Sequence, residues 1–284
     1  MKKGLVLEGG GMRGLFTAGV MDVLMENGIT FDTIAGVSAG ATFGANLKSG
    51  QAGRVLRFNL NHGSDDRYGS VKNLLKNGNY FDPEFCYEEL PRRLDPFDFQ
   101  AFYENPAEFY AVCTNLETGK PEYHLCQDEN ENSKDMKWIQ ASASLPVFSR
   151  PVEIENRHYL DGGVADPIPF EFMERQKADR IVVIRTSPAD RRKAPLKGGW
   201  FFRRFFRKYP SFLEKLLAQP DIYNAQVERL NHLEREGRVF VIQPEETLAA
   251  GVTDQEPEKL KATYEQGRKK AWKQLEALKS YLSY

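Results

Sequence analysis

A serine flanked by two glycines, at the end of one strand and the start of a helix, constrains this chain more than any other feature. The segment Gly-Val-Ser-Ala-Gly at residues 36–40 follows the apolar residues 33–35 and precedes a helix-compatible run through Leu47. On such a turn the serine adopts a strained backbone conformation, and the glycines leave room around its hydroxyl. The turn therefore presents the oxygen of Ser38 as a nucleophile beside the amino end of a helix.

A glycine-rich loop follows the first apolar strand. Residues 9–14 read Gly-Gly-Gly-Met-Arg-Gly, after apolar residues 4–7 and before a helical run at 15–26. Backbone N–H groups in such a loop can bind the negative charge that develops on a carbonyl oxygen during acyl transfer. Arg13 adds a positive charge to the loop. Its guanidinium is expected to stabilise the oxyanion, to bind a phosphate of a substrate, or to form a structural ion pair.

The same loop matches the G-x-G-x-x-G pattern of dinucleotide-binding proteins at Gly9, Gly11 and Gly14. That pattern requires an acidic residue at the carboxyl end of the second strand. Asp32 precedes the second predicted strand instead, and Ser38 follows it. The loop therefore favours binding of an oxyanion, with a nucleotide-dependent enzyme as an alternative.

A carboxylate, rather than a histidine, is predicted to accept the proton of Ser38. Asp161 follows the strand-like residues 158–160 and precedes Gly162 and Gly163, which lets a carboxylate approach another backbone closely. An aspartate that only forms an Asp-Gly turn is the alternative. The four histidines lie outside any motif, with His62 expected in a loop, His124 and His158 in strands and His232 on a solvated helix face. The acidic limb of kcat/KM should then reflect a carboxylate and not a group near about 6.5.

In this order, the three motifs resemble those of the patatin-like phospholipase family of lipid acyl hydrolases. The G-G-G-x-[RK]-G loop, the G-x-S-x-G turn and the D-G-[GA] aspartate of that family match residues 9–14, 36–40 and 161–163. Residues 141–148 resemble its A-S-x-[AS]-x-P segment, so the resemblance covers about residues 3–184. After the aspartate, many members of the family carry an asparagine pair before a proline, whereas residues 164–169 of this chain read Val-Ala-Asp-Pro-Ile-Pro. The loop after Asp161 is therefore expected to be positioned differently.

The resemblance implies a fold and a set of site residues. The fold is a three-layer α/β/α sandwich with a mostly parallel central sheet, and the chemistry is a Ser–Asp dyad that needs neither a metal nor an organic cofactor. The site comprises the dyad Ser38 and Asp161, the elbow glycines Gly36 and Gly40, the turn glycines Gly162 and Gly163, and an oxyanion hole from Gly9, Gly10, Gly11, Met12, Arg13 and Gly14.

Composition agrees with an intracellular enzyme. The hydrophobic share of 41% is sufficient for a core, and the net charge of −1 gives no overall field that favours nucleic acid. Cys86, Cys113 and Cys126 show no disulfide or metal spacing and are expected to be buried thiols. The apolar run after Lys3 ends at Glu8, too short for a signal peptide, and no stretch is long enough to span a bilayer. We expect a cytoplasmic protein with peripheral contact at the inner face of the membrane.

Alternating strands and helices are predicted along the chain. Strands are expected at residues 4–8, 33–37, 180–185 and 238–242, a hairpin-like pair at 108–115 and 122–125, and helices at 15–26, 39–49, 223–236 and 258–281. Residues 81–102 are expected to form loops or short helices, and residues 128–135 a polar loop. We expect one domain over residues 1–284, with a basic aromatic insertion at 190–217 and a C-terminal helix at 257–284.

The insertion interleaves cations with aromatic side chains. The cations are Arg191, Arg192, Lys193, Lys197, Arg203, Arg204, Arg207 and Lys208, and the aromatic residues are Trp200, Phe201, Phe202, Phe205, Phe206 and Tyr209. On a helix over residues 200–209, the phenylalanines and Tyr209 fall within about 140° of arc, whereas Trp200 falls on the basic side. Such a helix is typical of contact with an anionic membrane. Packing on the protein's own core, or a lid formed by residues 197–210, is the alternative, and a further helix is expected at 211–217.

These features predict a serine lipid acyl hydrolase of the phospholipase A or lysophospholipase type. Ser38 would attack a lipid ester while Asp161 accepts its proton. The alternative is a catalytically weak, lipid-binding or membrane-associated scaffold protein of the same fold.

Overall fold

In a computed structural model that describes residues 1–128 and 134–283, the strands form a single sheet. The strands are β1 (Lys3–Leu7), β2 (Thr33–Val37), β3 (Glu108–Asn115), β4 (Pro121–Leu125), β5 (Val152–Ile154), β6 (Arg157–Asp161), β7 (Arg180–Ile184) and β8 (Val239–Ile242). Their order is β5-β6-β3-β2-β1-β7-β8, with β4 also paired to β3. Strands β3, β2, β1, β7 and β8 are parallel, and the pairs made by β4, β5 and β6 are antiparallel. The prediction of a mostly parallel sheet is confirmed.

Helices cover the sheet. They are α1 (Gly14–Glu26), α2 (Ala39–Lys48), α3 (Arg54–His62), α4 (Val71–Asn77), α5 (Phe99–Glu104), α6 (Asp135–Ser142), α7 (Phe170–Arg175), α8 (Gly199–Phe205), α9 (Pro210–Arg235) and α10 (Pro257–Ser283). A π-helical segment spans Phe85–Leu94, and single 3-10 turns lie at Gly11–Arg13 and Gly162–Val164. Among the residues described, no helix has the length and apolar character needed to cross a bilayer.

The sheet separates two apolar cores, which makes the molecule a three-layer α/β/α structure. Leu5 and Leu7 of β1 pack with residues of α1, α2 and α10, whereas Val6 packs on the other side with residues of α7 and α9. Strands β7 and β8 divide their side chains in the same way, because successive residues of a strand point to opposite faces. Both faces are covered, as expected for a parallel sheet.

Helix α10 packs on α1 along its length. Tyr264 donates a 2.5 Å hydrogen bond to the carboxylate of Asp22, and Arg268 binds both carboxylate oxygens of Glu26 at 2.7 and 2.9 Å. An apolar face of α10 is buried here, formed by Leu260, Tyr264, Ala271, Leu275, Leu278 and Leu282. The C-terminal helix therefore covers the first helix of the fold.

Helix α9 is one continuous helix, so the prediction of two helices at 211–217 and 223–236 is wrong. Pro220 lies in its interior, where a proline removes one backbone hydrogen bond. Leu216, Pro220, Tyr223, Val227 and Leu230 are all buried, at alternating spacings of four and three residues. Packing of this continuous stripe against the sheet holds the two halves in one helix, which the local sequence does not reveal.

The predicted amphipathic helix over residues 200–209 is shorter in the structure. Helix α8 ends at Phe205, and Phe206 is 2% exposed in a small core with Phe212, Leu116 and Leu160. Trp200, Phe201 and Phe205 instead have exposed fractions of 76%, 40% and 52%. The aromatic residues thus divide between packing on the protein itself and exposure to solvent.

Two loop predictions also need comment. His62 was expected in a loop, but it is the last residue of α3. Of the predicted polar loop at 128–135, residues 129–133 lie outside the described residues, and Asp135 begins α6. Helices α3 and α4 have no counterpart in the sequence prediction.

Candidate active site

Ser38 lies on a strained turn between β2 and α2. Its backbone has φ 56° and ψ −123°, in the left-handed region that costs energy for any residue but glycine. Its N–H donates to the hydroxyl of Ser142 at 3.0 Å, and that hydroxyl donates to the carbonyl oxygen of Val112 at 2.7 Å. Ser142, from the segment 141–148, therefore ties the turn to β3, a role that sequence reasoning missed.

The second glycine of the turn allows α2 to begin directly against β1. A β-carbon at Gly40 would lie 2.2 Å from the carbonyl oxygen of Leu7, and one at Gly36 would lie 2.5 Å from the carbonyl oxygen of Gly40. No side chain fits at either position. The glycines of the predicted elbow are required by this close approach.

Neighbouring residues of β3 bring Ser38 and Asp161 together. Val112 pairs with Val37 at the end of β2, and Cys113 pairs with Asp161 at the end of β6. The two strand ends therefore meet at consecutive positions of one strand. Asp161 and Ser38 are both buried, with exposed fractions of 3% and 6%.

The carboxyl group of Asp161 lies in an environment that favours its protonated form. Burial raises its pKa to about 6, while the Ser38 hydroxyl, the N–H of Gly163 and the charge of Lys193 lower that pKa. Oδ1 accepts the Gly163 N–H at 2.7 Å, and Oδ2 has no partner of normal hydrogen-bond geometry among the described residues. The hydroxyl of Ser38 is thus near the carboxyl but outside ideal geometry, as is common before substrate binds. This pKa approaches that of histidine. The acidic limb of kcat/KM therefore cannot by its position alone distinguish a carboxylate base from a histidine base.

The first three residues of the glycine-rich loop have N–H groups without an acceptor among the described residues. The N–H groups of Met12 and Arg13 already donate to the carbonyl oxygens of Val252 and Gly10, at 3.0 and 3.2 Å. The Gly14 N–H donates to the carbonyl oxygens of Gly11 and Met12, and the N–H groups of Gly9, Gly10 and Gly11 meet no acceptor among the described residues. Gly11 has a φ of +56°, and a β-carbon there would lie 2.1 Å from the Val252 carbonyl oxygen. Of residues 9–14, for which an oxyanion hole is predicted, Gly9, Gly10 and Gly11 therefore keep an N–H group that is free of other described residues.

A buried network holds this loop against the end of β7. Thr186 donates its hydroxyl to the carbonyl oxygen of Gly9 at 2.6 Å and its N–H to Glu8 at 2.7 Å. Glu8 lies 3.8 Å from the guanidinium of the fully buried Arg185. These residues follow β1 and β7, whose carboxyl ends meet at one edge of the sheet, the usual location of sites in α/β folds.

Two cavities meet at Ser38. The apolar cavity is lined by Phe43, Phe58, Phe81, Leu90, Met136 and Ile139, with an empty volume of about 900 Å³ including its open mouth. The second cavity is called the polar cavity because charged and polar residues line part of it, namely Arg13, Asp161, Arg191, Lys193 and Gln219. Gly10, Gly11 and apolar residues that include Leu145, Val164 and Leu216 line the rest. Ser38 borders both, so an ester carbonyl at its hydroxyl would have one substituent in each.

None of the four histidines lines either cavity. His124 pairs with Asp135 at 2.8 Å, His158 with Glu117 at 2.9 Å, and His232 with Glu236 at 3.1 Å. The His62 ring lies against Phe85 with its centroid 6.3 Å away. The structure therefore places a carboxylate, and no imidazole, next to Ser38.

One group of possible metal ligands lies outside the site. Ligand atoms of His124, Cys126 and Asp135 all lie within 4.8 Å of one another, a proximity that the sequence spacing did not suggest. Burial raises the pKa of the Cys126 thiol well above its usual value, and the buried ammonium of Lys48 interacts with both Cys126 and Asp135. This nearby positive charge disfavours a cation. Cys113 is also buried, whereas Cys86 is only partly so.

The family model of patatin-like phospholipases matches residues 5–173 of this chain. The chain belongs to the patatin-like phospholipase family. The match includes β1, the glycine-rich loop, the Ser38 turn and Asp161, and it ends within α7. A second family model, described as a domain of unknown function (DUF6363), matches residues 209–283.

Relatives of this patatin-like chain include bacterial and fungal proteins. It is 32% identical to the uncharacterized protein YjjU of Escherichia coli over 70% of this chain and 55% of YjjU. It is 31% identical to lysophospholipase nte1 of Aspergillus fumigatus over 66% of this chain and 12% of that protein. The chain thus spans about half the length of the first relative and about an eighth of the second.

The fold is shared with a solved structure. VipD from Legionella pneumophila superposes with a TM-score of 0.50 over 97% of this chain and 67% of VipD, at 15% identity. This likeness concerns the fold alone.

Residues of the DUF6363 region take part in the site of this patatin-like chain. Gln219 and Tyr223 of α9 and Val252 line the polar cavity, and Val252 also accepts the Met12 N–H. Strand β8 extends the same sheet by pairing with β7. Sequence motifs could not find these contributions, because the residues lie far from the three motifs.

Proposed function

We propose that this chain is a serine lipid acyl hydrolase of the phospholipase A or lysophospholipase type. The observation that carries the proposal is the meeting of Ser38, a buried Asp161 and a glycine-rich loop whose N–H groups at Gly9, Gly10 and Gly11 meet no acceptor among the described residues, at the junction of an apolar and a polar cavity. Membership of the patatin-like phospholipase family supports it, as do the fungal relatives that carry the name lysophospholipase.

The reaction proceeds through an acyl-enzyme. The hydroxyl oxygen of Ser38 attacks the ester carbonyl carbon while Asp161 takes the hydroxyl proton. The N–H groups of Gly10 and Gly11 stabilise the negative charge on the carbonyl oxygen. Collapse of the tetrahedral intermediate breaks the ester bond, and Asp161 returns the proton to the leaving alkoxide.

Water then releases the acyl group. Asp161 removes a proton from the water molecule, which attacks the acyl carbon, and the proton passes to the oxygen of Ser38 as the ester bond breaks. A base with a pKa of about 6 is ionised at neutral pH yet more basic than an ordinary carboxylate. Its burial thus suits this double role.

The acyl chain and the alcohol part of the substrate occupy different cavities. An acyl chain buries apolar surface against Phe43, Phe58 and Ile139, which contributes roughly 0.8 kcal/mol for each buried methylene. The alcohol part then enters the polar cavity. We propose a lipid ester as the substrate on this ground.

Labelling separates this proposal from a catalytically weak lipid-binding protein. A fluorophosphonate probe should label the wild type and not Ser38→Ala, and incubation with a mixed lipid extract should release fatty acids only with the wild type. Asp161→Asn should bind lipid but release none. An unlabelled wild type that binds lipid would favour the scaffold alternative.

We also propose that the surface around α8 contacts an anionic membrane. Trp200, Phe201 and Phe205 are exposed, and Arg204, Arg207 and Lys208 line a shallow cavity beside Phe201 and Phe205. Leu196, four residues before Trp200, lines the polar cavity. Apolar rings among cations suit a negatively charged lipid surface. A cytoplasmic location at the inner face of the membrane, and one hydrolase domain over residues 1–284, remain predictions.

Vesicle sedimentation tests this contact. The variant with Trp200, Phe201 and Phe205 all changed to alanine should lose about ten-fold in affinity for vesicles that contain phosphatidylglycerol. Trp272→Ala, which removes a 50% exposed aromatic residue of α10, is the control and should bind like the wild type. Equal binding of all three proteins, or equal binding to uncharged vesicles, would contradict the proposal.

A further inference from the structure

The apolar cavity runs along one face of α2. Ser38 directly precedes this helix. The helix lines the cavity with residues three and four positions apart, namely Ala39, Thr42, Phe43 and Asn46. Residues at these spacings share one face of a helix. With the helical rise per residue, Asn46 lies about 12 Å beyond Ser38 along the helix axis. The cavity therefore leads from the nucleophile to Asn46.

A guanidinium group closes the Asn46 end of the cavity. Arg54 lines the cavity and donates to the side-chain oxygen of Asn46 at 2.8 Å. Its guanidinium lies 5.3 Å from the centre of the Phe58 ring and 5.4 Å from that of Phe97, and both rings also line the cavity. All four side chains are buried. Among the described residues, this end of the cavity is therefore sealed from solvent.

The Ser38 end is the more open one. Gly11, Ser38 and Leu145 line both cavities, so the two cavities join there. Gly11 and Leu145 are half-buried, in contrast to the residues around Arg54. An acyl chain that is attached to Ser38 therefore extends from this junction toward a closed end.

Asp95 fixes the guanidinium of Arg54 in place. Nε of Arg54 lies 3.1 Å from the Asp95 carboxylate, and Nη2 donates to the Asp95 carbonyl oxygen. Arg57 binds both oxygens of the same carboxylate, each at 2.8 Å. Neither Arg57 nor Asp95 is among the described residues that line the cavity, so both lie behind the guanidinium. A chain that pushed past Arg54 would separate buried charged groups, which is strongly unfavourable.

We propose that Arg54 ends the acyl-binding cavity, so that this enzyme prefers medium-chain to long-chain lipid esters. An extended chain advances about 1.2 Å for each bond, and about 12 Å therefore accommodates about ten carbons. The inference rests on the proposed function, because it places an acyl group on Ser38. Arg54 is the residue that determines the chain length.

Esters that differ only in their acyl chain test the limit. The p-nitrophenyl esters of octanoate, decanoate, tetradecanoate and hexadecanoate are compared at equal mole fraction in micelles of one non-ionic detergent. This gives every chain the same apolar surroundings before it binds. We expect kcat/KM of the wild type to be about ten-fold higher for decanoate than for tetradecanoate, because the additional methylenes find no space in the cavity.

Two arginine variants locate the limit. Arg54→Met replaces the guanidinium with a shorter apolar side chain, and Asp95 keeps both hydrogen bonds from Arg57. This variant should lose the roughly ten-fold preference for decanoate over tetradecanoate. Arg57→Met is the matched control, because Arg57 binds the same carboxylate from a half-exposed position outside the cavity. It should keep the preference of the wild type.

A third variant tests the inference if Arg54→Met does not fold. Ala45 also lines the cavity and precedes Asn46 in α2. A larger side chain there shortens the cavity, so Ala45→Leu should move the preferred ester from decanoate to octanoate. An unaltered preference in Ala45→Leu would show that the acyl chain does not reach this end, and would overturn the inference.

The remaining outcomes separate the inference from the proposed function. Equal kcat/KM for decanoate and tetradecanoate in the wild type would overturn the inference and leave an acyl hydrolase. A wild-type limit that persists in folded Arg54→Met would also overturn it, since other residues would then set the chain length. Hydrolysis of none of the esters by the wild type would overturn the proposed function itself.

Discussion

The side-chain amide of Gln219 donates a 3.0 Å hydrogen bond to the carbonyl oxygen of Gly163, two residues after Asp161. Two turns further along α9, Gln226 donates to the carboxylate of Asp166 at 2.6 Å and accepts the Ile168 N–H at 3.1 Å. Helix α9 thus braces the whole turn that follows Asp161. The region matched by DUF6363 positions the carboxyl group on which the proposed chemistry depends.

Gln219→Met should lower kcat about ten-fold, because methionine is similar in length to glutamine and uncharged but has no donor for the Gly163 carbonyl oxygen. The Gly163 N–H lowers the pKa of Asp161, so a loosened turn should also move the acidic limb of kcat/KM upward. Kinetics between pH 4 and 9 measure both effects. Glu214→Ala, at an exposed position of the same helix, is the control. Loss of rate without a shift of the limb would indicate a purely structural role.

The acidic limb of kcat/KM should lie near pH 6. Burial raises the Asp161 pKa to about 6, and the base must be ionised, so activity falls as pH drops through that value. His158→Ala and His232→Ala should retain the limb and most of the activity. Because histidine titrates in the same range, temperature provides the discrimination: the pKa of a carboxyl group changes little on warming, whereas that of an imidazole falls. A limb that moves with temperature would contradict the dyad.

Asp161→Asn should be more stable than the wild type above pH 6. A raised folded-state pKa means that the folded protein binds the proton more tightly than the unfolded chain, so wild-type stability falls as pH rises from about 4 to about 6. Above that window the ionised carboxyl group costs up to about 3 kcal/mol, which asparagine avoids. Urea unfolding at pH 4 and pH 8 measures the difference. An equal effect of the substitution at both pH values would refute this linkage.

Alanine substitutions of the adjacent residues Phe205 and Phe206 should differ sharply in their effect on the free energy of unfolding. Phe206 is buried 4.8 Å from the Phe212 ring, in the core that contains Val164 of the turn after Asp161. Phe206→Ala should therefore lower the free energy of unfolding by about 3–5 kcal/mol. Phe205→Ala, at an exposed position, should change it by less than about 0.5 kcal/mol. Similar losses in both variants would mean that Phe205 also packs on the core.

Local patterns in the sequence were sufficient for much of the fold. Turn chemistry located Ser38, Asp161 and the glycine-rich loop, since each motif depends on a few consecutive residues. The spacing of hydrophobic residues located β2, β7 and α10. The family resemblance supplied the order of the layers, and the family model confirms the resemblance.

Local patterns failed where packing between distant segments decides the outcome. The sequence predicted a break in α9, but a continuous buried face overrides the cost of Pro220. It predicted one amphipathic helix at 200–209, whereas Phe206 turns inward against α9. It gave no indication that Gln219, Tyr223 and Val252 line the polar cavity.

The sequence by itself determined which residues are proposed to carry the chemistry, because the motifs of a nucleophile turn and a glycine-rich loop consist of consecutive residues. Only the tertiary structure decided how they work together. Val112 and Cys113 align the ends of β2 and β6, and burial at that junction raises the pKa of Asp161 to about 6. Strand pairing and burial depend on contacts between residues far apart in the chain, so no local pattern contains them.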